Sequence, residues 1–280
     1  MINNMQDIRK SVELMDKYLR NNLSKKQSWE NTYIYKQIKK REKGGTFSIN
    51  EHICAMLYSM LSSGSVWERL ENHIDSETGR ITVIDEIFCQ YDPDVLLKSS
   101  SEKLCNSVQN LHCASPYTLK QIRALIEVNI GRMLDLEEKH GSIDNFYRKF
   151  IDIDGSLKTL VLILSTLNSP FKFEQMGEAL TAEYLRNVGY DMAKPDRHII
   201  RFLGSGVLGC SDRKKVPVYE AFDIVSQIAE KMNKATAEVD YILWSYCASG
   251  YGICSKKSPK CDVCVVKNLC NKFRKADQSK

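Results

Sequence analysis

The 280-residue sequence is poor in helix breakers, with only 14 glycines and 6 prolines. Chains of many short strands need such residues at every turn, so their scarcity favours helices. No apolar run approaches the ~20 residues that a membrane-crossing helix needs, which leaves no membrane partner to expect. Runs that alternate apolar and polar residues are missing too, and this argues against sheets. The opening residues Met1-Ile-Asn-Asn-Met-Gln-Asp7 have neither the basic start nor the apolar stretch of an export signal. With no such signal, the ten cysteines point to a reducing compartment, where thiols stay free or bind metal. The expected location is the cytoplasm, associated with the nucleoid in a prokaryote.

What is present reads as helix after helix. Ile8, Val12, Met15 and Leu19 recur at helical spacing, as do Ile122, Leu125, Ile126, Ile130, Met133 and Leu134. A further helix runs from Asn50 to Leu61, and Ser62-Ser63-Gly64-Ser65 interrupts it. Lys36 to Lys43 form a charge run that ends at Gly44-Gly45, read as a joint. A turn at Gly177 opens a helix that runs to Gly189, Pro195-Asp196 caps another, and two more follow at 218–232 and 239–246. The expected fold class is all-α. The expected division is a helical barrel at 45–190, with 1–44 and 191–280 forming a second domain.

Near the end of the chain, Cys254, Cys261, Cys264 and Cys270 follow the pattern C-x6-C-x2-C-x5-C. A structural zinc site usually takes two tight C-x2-C knuckles, and only one is present. A cubane iron–sulfur cluster offers four separate iron corners and tolerates wider, unequal loops. From Cys254 onward eight Lys or Arg face only Asp262 and Asp277, a net +6 that leaves the rest of the chain at −1. A basic segment beside a metal site suits a polyanion such as nucleic acid.

Together these features resemble the helix-hairpin-helix DNA glycosylase superfamily. The cysteine tail looks like that of endonuclease III and of the adenine glycosylases that carry a [4Fe-4S] cluster. Lys194-Pro-Asp196-Arg-His198-Ile-Ile-Arg201 resembles the family's V-D-T-H-V-x-R segment, whose Asp is catalytic. Residues 92–150 are locally similar to 3-methyladenine DNA glycosylase I, through Asp92-Pro93, Gln121-Ile122-Arg123-Ala124 with Asn129, and Gly141-Ser142. The family hairpin usually reads L-P-G-V-G-R-K-T-A. Here Phe173-Glu-Gln-Met176-Gly177-Glu178-Ala179 has one glycine in place of two. Lyase-competent members place a nucleophilic lysine 18 residues before the Asp, and counting back from Asp196 reaches Glu178.

The resemblance implies a monofunctional DNA base-excision glycosylase, acting as a monomer on double-stranded DNA with a damaged or modified base. Asp196 would be the catalytic carboxylate, and Cys254, Cys261, Cys264 and Cys270 would hold the [4Fe-4S] cluster. DNA contacts are expected from Met176 and Gly177 at the hairpin. They are also expected from Lys172, Lys194, Arg197 and His198, and from Lys256, Lys257 and Lys260 between the first two cysteines. Trp67, with Ser59 and Ser62, is the expected base pocket, since an extruded base needs a stacking wall and polar readers. Two other readings are an iron–sulfur DNA-binding protein without turnover and a zinc-stapled helical protein unrelated to repair.

Overall fold

The computed structural model describes residues 4–24, 27–64, 69–70, 72–248 and 252–277. Trp67 lies outside the described residues. The main helices are α1 Met5–Asn22, α2 Tyr33–Glu42, α3 Ile49–Leu61, α4 Thr82–Ile87, α5 Pro93–Leu96, α6 Ser101–Asn110 and α7 Thr118–Ala124. They continue with α8 Ile130–His140, α9 Ile143–Asp154, α10 Leu157–Ser165, α11 Glu178–Asn187, α12 Arg197–Phe202, α13 Val218–Met232, α14 Thr236–Cys247 and α15 Asn271–Asp277. Among the described residues there is no strand, only a bridge between Ile74 and Ile81. The all-α reading therefore holds.

The chain forms two compact units, 31–190 and the pair of segments 1–30 and 191–280. The charge run falls inside the first unit, where the sequence reading set the joint at Gly44-Gly45. It is the helix α2, anchored by buried Ile38, and its cations have local partners. Lys40 pairs with Glu51 at 2.5 Å and Arg41 with Asp144 at 2.8 Å. Gly44, with φ +79°, turns the chain out of this helix.

In the first unit α3 is the central strut. Ser48 and Glu51 close a capping box at its start, and every residue from His52 to Leu61 is buried. Such a box satisfies two of the N–H groups that a helix start otherwise leaves without partners. α11 packs along α3 and is tied to it by polar bonds across the core. Asn187 donates to the Ala55 carbonyl at 3.2 Å, and the Tyr184 hydroxyl meets His52 Nδ1 at 2.7 Å and the Tyr147 hydroxyl at 2.8 Å. Buried polar bonds of this kind fix orientation, because a shifted helix would strand several groups at once. The helix that follows the Gly177 turn is thus held in one place.

The second unit packs α1 against α13 and α14. Ile8, Val12, Met15 and Leu19 are all buried, as their spacing predicts. Asp191 caps α14 by accepting from the N–H groups of Thr236 at 3.0 Å and Ala237 at 2.8 Å. Asp240, within that helix, accepts from the Lys194 N–H at 2.9 Å. These two carboxylates lash residues 191–194 to α14, and so fix the approach to Asp196.

Candidate functional site

The turn before α11 is built from its neighbours. Phe173 is fully buried, packs edge-on against Tyr184 at 5.9 Å, and donates its N–H to the Leu164 carbonyl at 2.9 Å. The Asn129 side chain then grips the next peptide from both sides. It accepts from the Glu174 N–H at 2.8 Å and donates to the Glu174 carbonyl at 3.0 Å. Asn129 ends a π-helical stretch, Leu125–Asn129, between α7 and α8. An inserted residue of this kind locally shifts the side-chain register of a helix.

Gln175 follows with φ +59°. It stands where the hairpin motif has its first glycine, and it adopts the left-handed backbone that glycine would supply. For an ordinary residue this costs roughly 1–2 kcal/mol. Gly177 is the opposite case. Its φ is −84°, and an added Cβ would meet nothing within 4 Å. The fold itself does not demand glycine here. No side chain caps α11, so its first N–H groups remain available to an outside acceptor.

Asp196 caps α12. Its Oδ1 accepts from the His198 N–H at 2.7 Å and the Ile199 N–H at 3.1 Å. Oδ2 makes no hydrogen bond among the described residues. The carboxylate is half-buried, Pro195 before it is buried, and Arg197 after it is exposed. Burial lowers the His198 imidazole below its ordinary range, against the opposing pull of Asp196.

The four motif cysteines line one pocket, together with Arg201, Val207, Lys256, Lys267 and Lys272. All four are half-buried. Among the described residues no three thiol, imidazole or carboxylate groups come together closely enough to hold a single metal ion. The thiols are distributed around a space instead. Arg201 reaches the first of them, with Nη1 3.7 Å from Cys254 Sγ and Nη2 bonded to the Cys254 carbonyl at 2.5 Å. A hydrogen bond from Cys247 brings the Cys254 thiol down to about 6; burial opposes this and Arg201 reinforces it.

Three solved structures share this architecture. One is the 8-oxoguanine DNA glycosylase of Thermotoga maritima, at 14% identity and a TM-score of 0.54 over 89% of this chain and 100% of the other. The second is a trapped endonuclease III–DNA covalent intermediate, at 14% identity and 0.55 over 99% and 100%. The third is the Methanocaldococcus jannaschii 8-oxoguanine glycosylase/lyase with a 15-mer DNA containing 8-oxoguanine, at 19% identity and 0.50 over 86% and 98%.

The chain has the helix-hairpin-helix DNA glycosylase fold.

A family model described as a domain of unknown function, DUF8548, matches residues 174–248, from the hairpin to the end of α14. No curated protein matches the sequence.

Within the glycosylase fold the expected site residues divide. Met176 is buried, so only its backbone can face a ligand. Lys172 was expected as a phosphate contact. Its Nζ turns back onto the Phe173 carbonyl at 3.1 Å and lies 3.9 Å from Glu174, so it serves the hairpin's own structure. Ser59 was expected to read a base. It is fully buried, and its hydroxyl donates to the Leu180 carbonyl at 2.5 Å, which makes it a tie between α3 and α11. The Ser62 hydroxyl donates to the Ser59 carbonyl at 2.7 Å. Lys256, Lys257 and Lys260 are exposed, as a phosphate contact requires. The parts that Asn129 and Gln175 play at the hairpin turn emerge only from the structure. Asn129 was visible as part of a motif, but nothing in the sequence joined it to a turn 45 residues away.

Proposed function

We propose that the chain is a DNA base-excision glycosylase that hydrolyses the N-glycosidic bond of a damaged or modified base, with Asp196 as the catalytic carboxylate. One observation carries this reading. Asp196 is held by two backbone N–H groups on Oδ1, which leaves its second oxygen without a hydrogen bond at a helix start. As the base departs, positive charge builds on the sugar, and a fixed anion placed there stabilises it. The same carboxylate can orient the attacking water. The bond from sugar carbon to base nitrogen breaks, the hydroxyl of water adds to that carbon, and a proton goes to the base. An abasic site remains.

The uncapped start of α11, with Gly177 before it, suits a DNA phosphate. Free N–H groups and the positive end of a helix dipole both favour an anion. Lys256, Lys257 and Lys260 add a second, sequence-independent contact to the duplex. The residues around the cysteine pocket fit a [4Fe-4S] cluster, with Cys254, Cys261, Cys264 and Cys270 as ligands. Four thiols ringing one space match four iron corners. When bound, such a cluster supplies cross-links that pin the loop bearing the lysines. Four protein ligands leave no iron position open to substrate.

The position 18 residues before Asp196 holds Glu178, which cannot form a Schiff base with an opened sugar. The reading is therefore monofunctional, unlike the Methanocaldococcus glycosylase/lyase. Mass-spectrometric analysis of bases released from a mixed-lesion duplex library tests the proposal and names the substrate. Release of at least one base, with no adduct on borohydride trapping at abasic DNA, is the expected outcome. Release of none would overturn the enzyme reading, and a trapped adduct would overturn the monofunctional one.

A further inference from the structure

Tyr246 and Cys247 occupy the last turn of α14, and neither belongs to the C-x6-C-x2-C-x5-C set. Both are completely buried. Tyr246 reaches both limbs of the cysteine segment. Its carbonyl accepts from the N–H groups of Ile253 at 2.9 Å and Cys254 at 2.8 Å. Its hydroxyl accepts from the Val265 N–H at 3.2 Å and lies 3.3 Å from Cys264 Sγ. Cys247, next to Tyr246, is the first influence on the Cys254 thiol and draws it below its ordinary range. One helix turn thus places a hydroxyl against one motif sulfur and a buried thiol beside the electrostatic field of another.

The direction of these bonds follows from chemistry. A phenol oxygen that already accepts from a backbone N–H keeps its own proton to give. A metal-bound cysteine is a thiolate and can only accept. Tyr246 therefore donates to Cys264, and the Cys247 S–H, a weaker donor, donates to Cys254.

Resting on the cofactor reading above, we propose that Tyr246 and Cys247 are positioning residues for the iron–sulfur cluster. Their hydrogen bonds to the ligand sulfurs raise its one-electron reduction potential. An added electron places more negative charge on the cluster and its sulfurs, and donors aimed at those sulfurs favour that state. In a buried, water-poor setting such bonds act more strongly than in water. No protein bond is made or broken in the couple.

Packing alone would not need the hydroxyl. The Tyr246 ring packs edge-on to Tyr18 at 6.1 Å and tilted on Phe202 at 6.2 Å. Phenylalanine would keep both contacts and lose only the O–H. The test uses the full-length protein as purified, after iron and acid-labile sulfide have been quantified. Film voltammetry of Tyr246→Phe should show a shift to lower potential. Resonance Raman spectra of its iron–sulfur(cysteine) bands should lose part of the wild-type shift on transfer to D2O. Cys247→Ala should move both readouts the same way by less, and it decides the matter if the first variant fails to take up iron. Unchanged potential and isotope shift in an iron-loaded variant would overturn this inference and leave the cofactor reading intact. Zinc without iron in the wild type would overturn the cofactor reading itself.

Discussion

The hairpin turn at 173–178 and the cysteine segment at 254–270, the two regions proposed to meet DNA, are built differently. The hairpin is completed by the chain. Phe173 is sunk in the core, the Asn129 amide fixes the Glu174 peptide, and α11 is bolted to α3 through Tyr184 and Asn187. The cysteine segment has only two three-residue turns, Cys261–Val263 and Lys267–Leu269, and four half-buried thiols. Its internal backbone bonds span only three residues each, and Tyr246 ties it from outside at Cys254 and Val265. One region carries its order in side-chain packing. The other is arranged around a space lined by its four cysteines, and in the proposed reading the cluster supplies its order.

Removing the filler gives the largest expected effect. Cys264→Ala should abolish iron binding and expose the Lys256-Lys257 bond to trypsin, while the 31–190 unit keeps its protection. Without three placed lysines, the log–log salt slope of DNA binding should fall by about 3. A variant that stays protease-resistant with an unchanged slope would mean that this segment, too, is completed by the chain.

Asn129→Ala attacks the other region. It leaves the Glu174 N–H without its partner and should cost about 2 kcal/mol in urea unfolding. An unchanged midpoint would show that the turn does not depend on the clamp. Gln175→Gly sharpens the point from the opposite side. Glycine relieves the left-handed strain, and the unfolding free energy should rise by about 1 kcal/mol, with no change in iron content. Smallest in stability is Gly177→Ala, expected within about 0.5 kcal/mol of wild type. Its effect should fall on DNA affinity, weakened by about 1 kcal/mol as a methyl group enters the space a phosphate would take. Equal affinities would remove Gly177 from the interface.

The helices were legible because their apolar residues recur every three or four positions, and the ends at Gly141, Gly177 and Asp196 carry their own turn or cap chemistry. Most of α2 was hidden in the charge run Lys36 to Lys43, five of whose eight residues are Lys or Arg and which ends at the joint read at Gly44-Gly45. Only the fold shows that Glu51 and Asp144 take up two of those charges. The turn at Cys89–Tyr91 was equally hidden. Three successive non-glycine residues with φ between 48° and 62° leave no mark in composition. Tyr91 is held there by a hydrogen bond to buried Asp85 at 2.5 Å, a contact made by the folded chain.

In the site, the Asp196 cap and the gathering of the four cysteines on one pocket were legible because both are made by residues close in the sequence. Asn129 and Tyr246 were not, because their partners lie 45 and 18 residues away. Ser59 failed for a related reason. A serine on a helix can face a pocket or a neighbouring backbone, and the choice belongs to packing.

The role of Asp196 is tested most directly by single-turnover excision on a duplex carrying the released base, comparing wild type with Asp196→Asn alongside DNA affinity. The variant should bind DNA within a few-fold of wild type and excise about 10²–10⁴ times more slowly. Equal excision rates in the two proteins would contradict it.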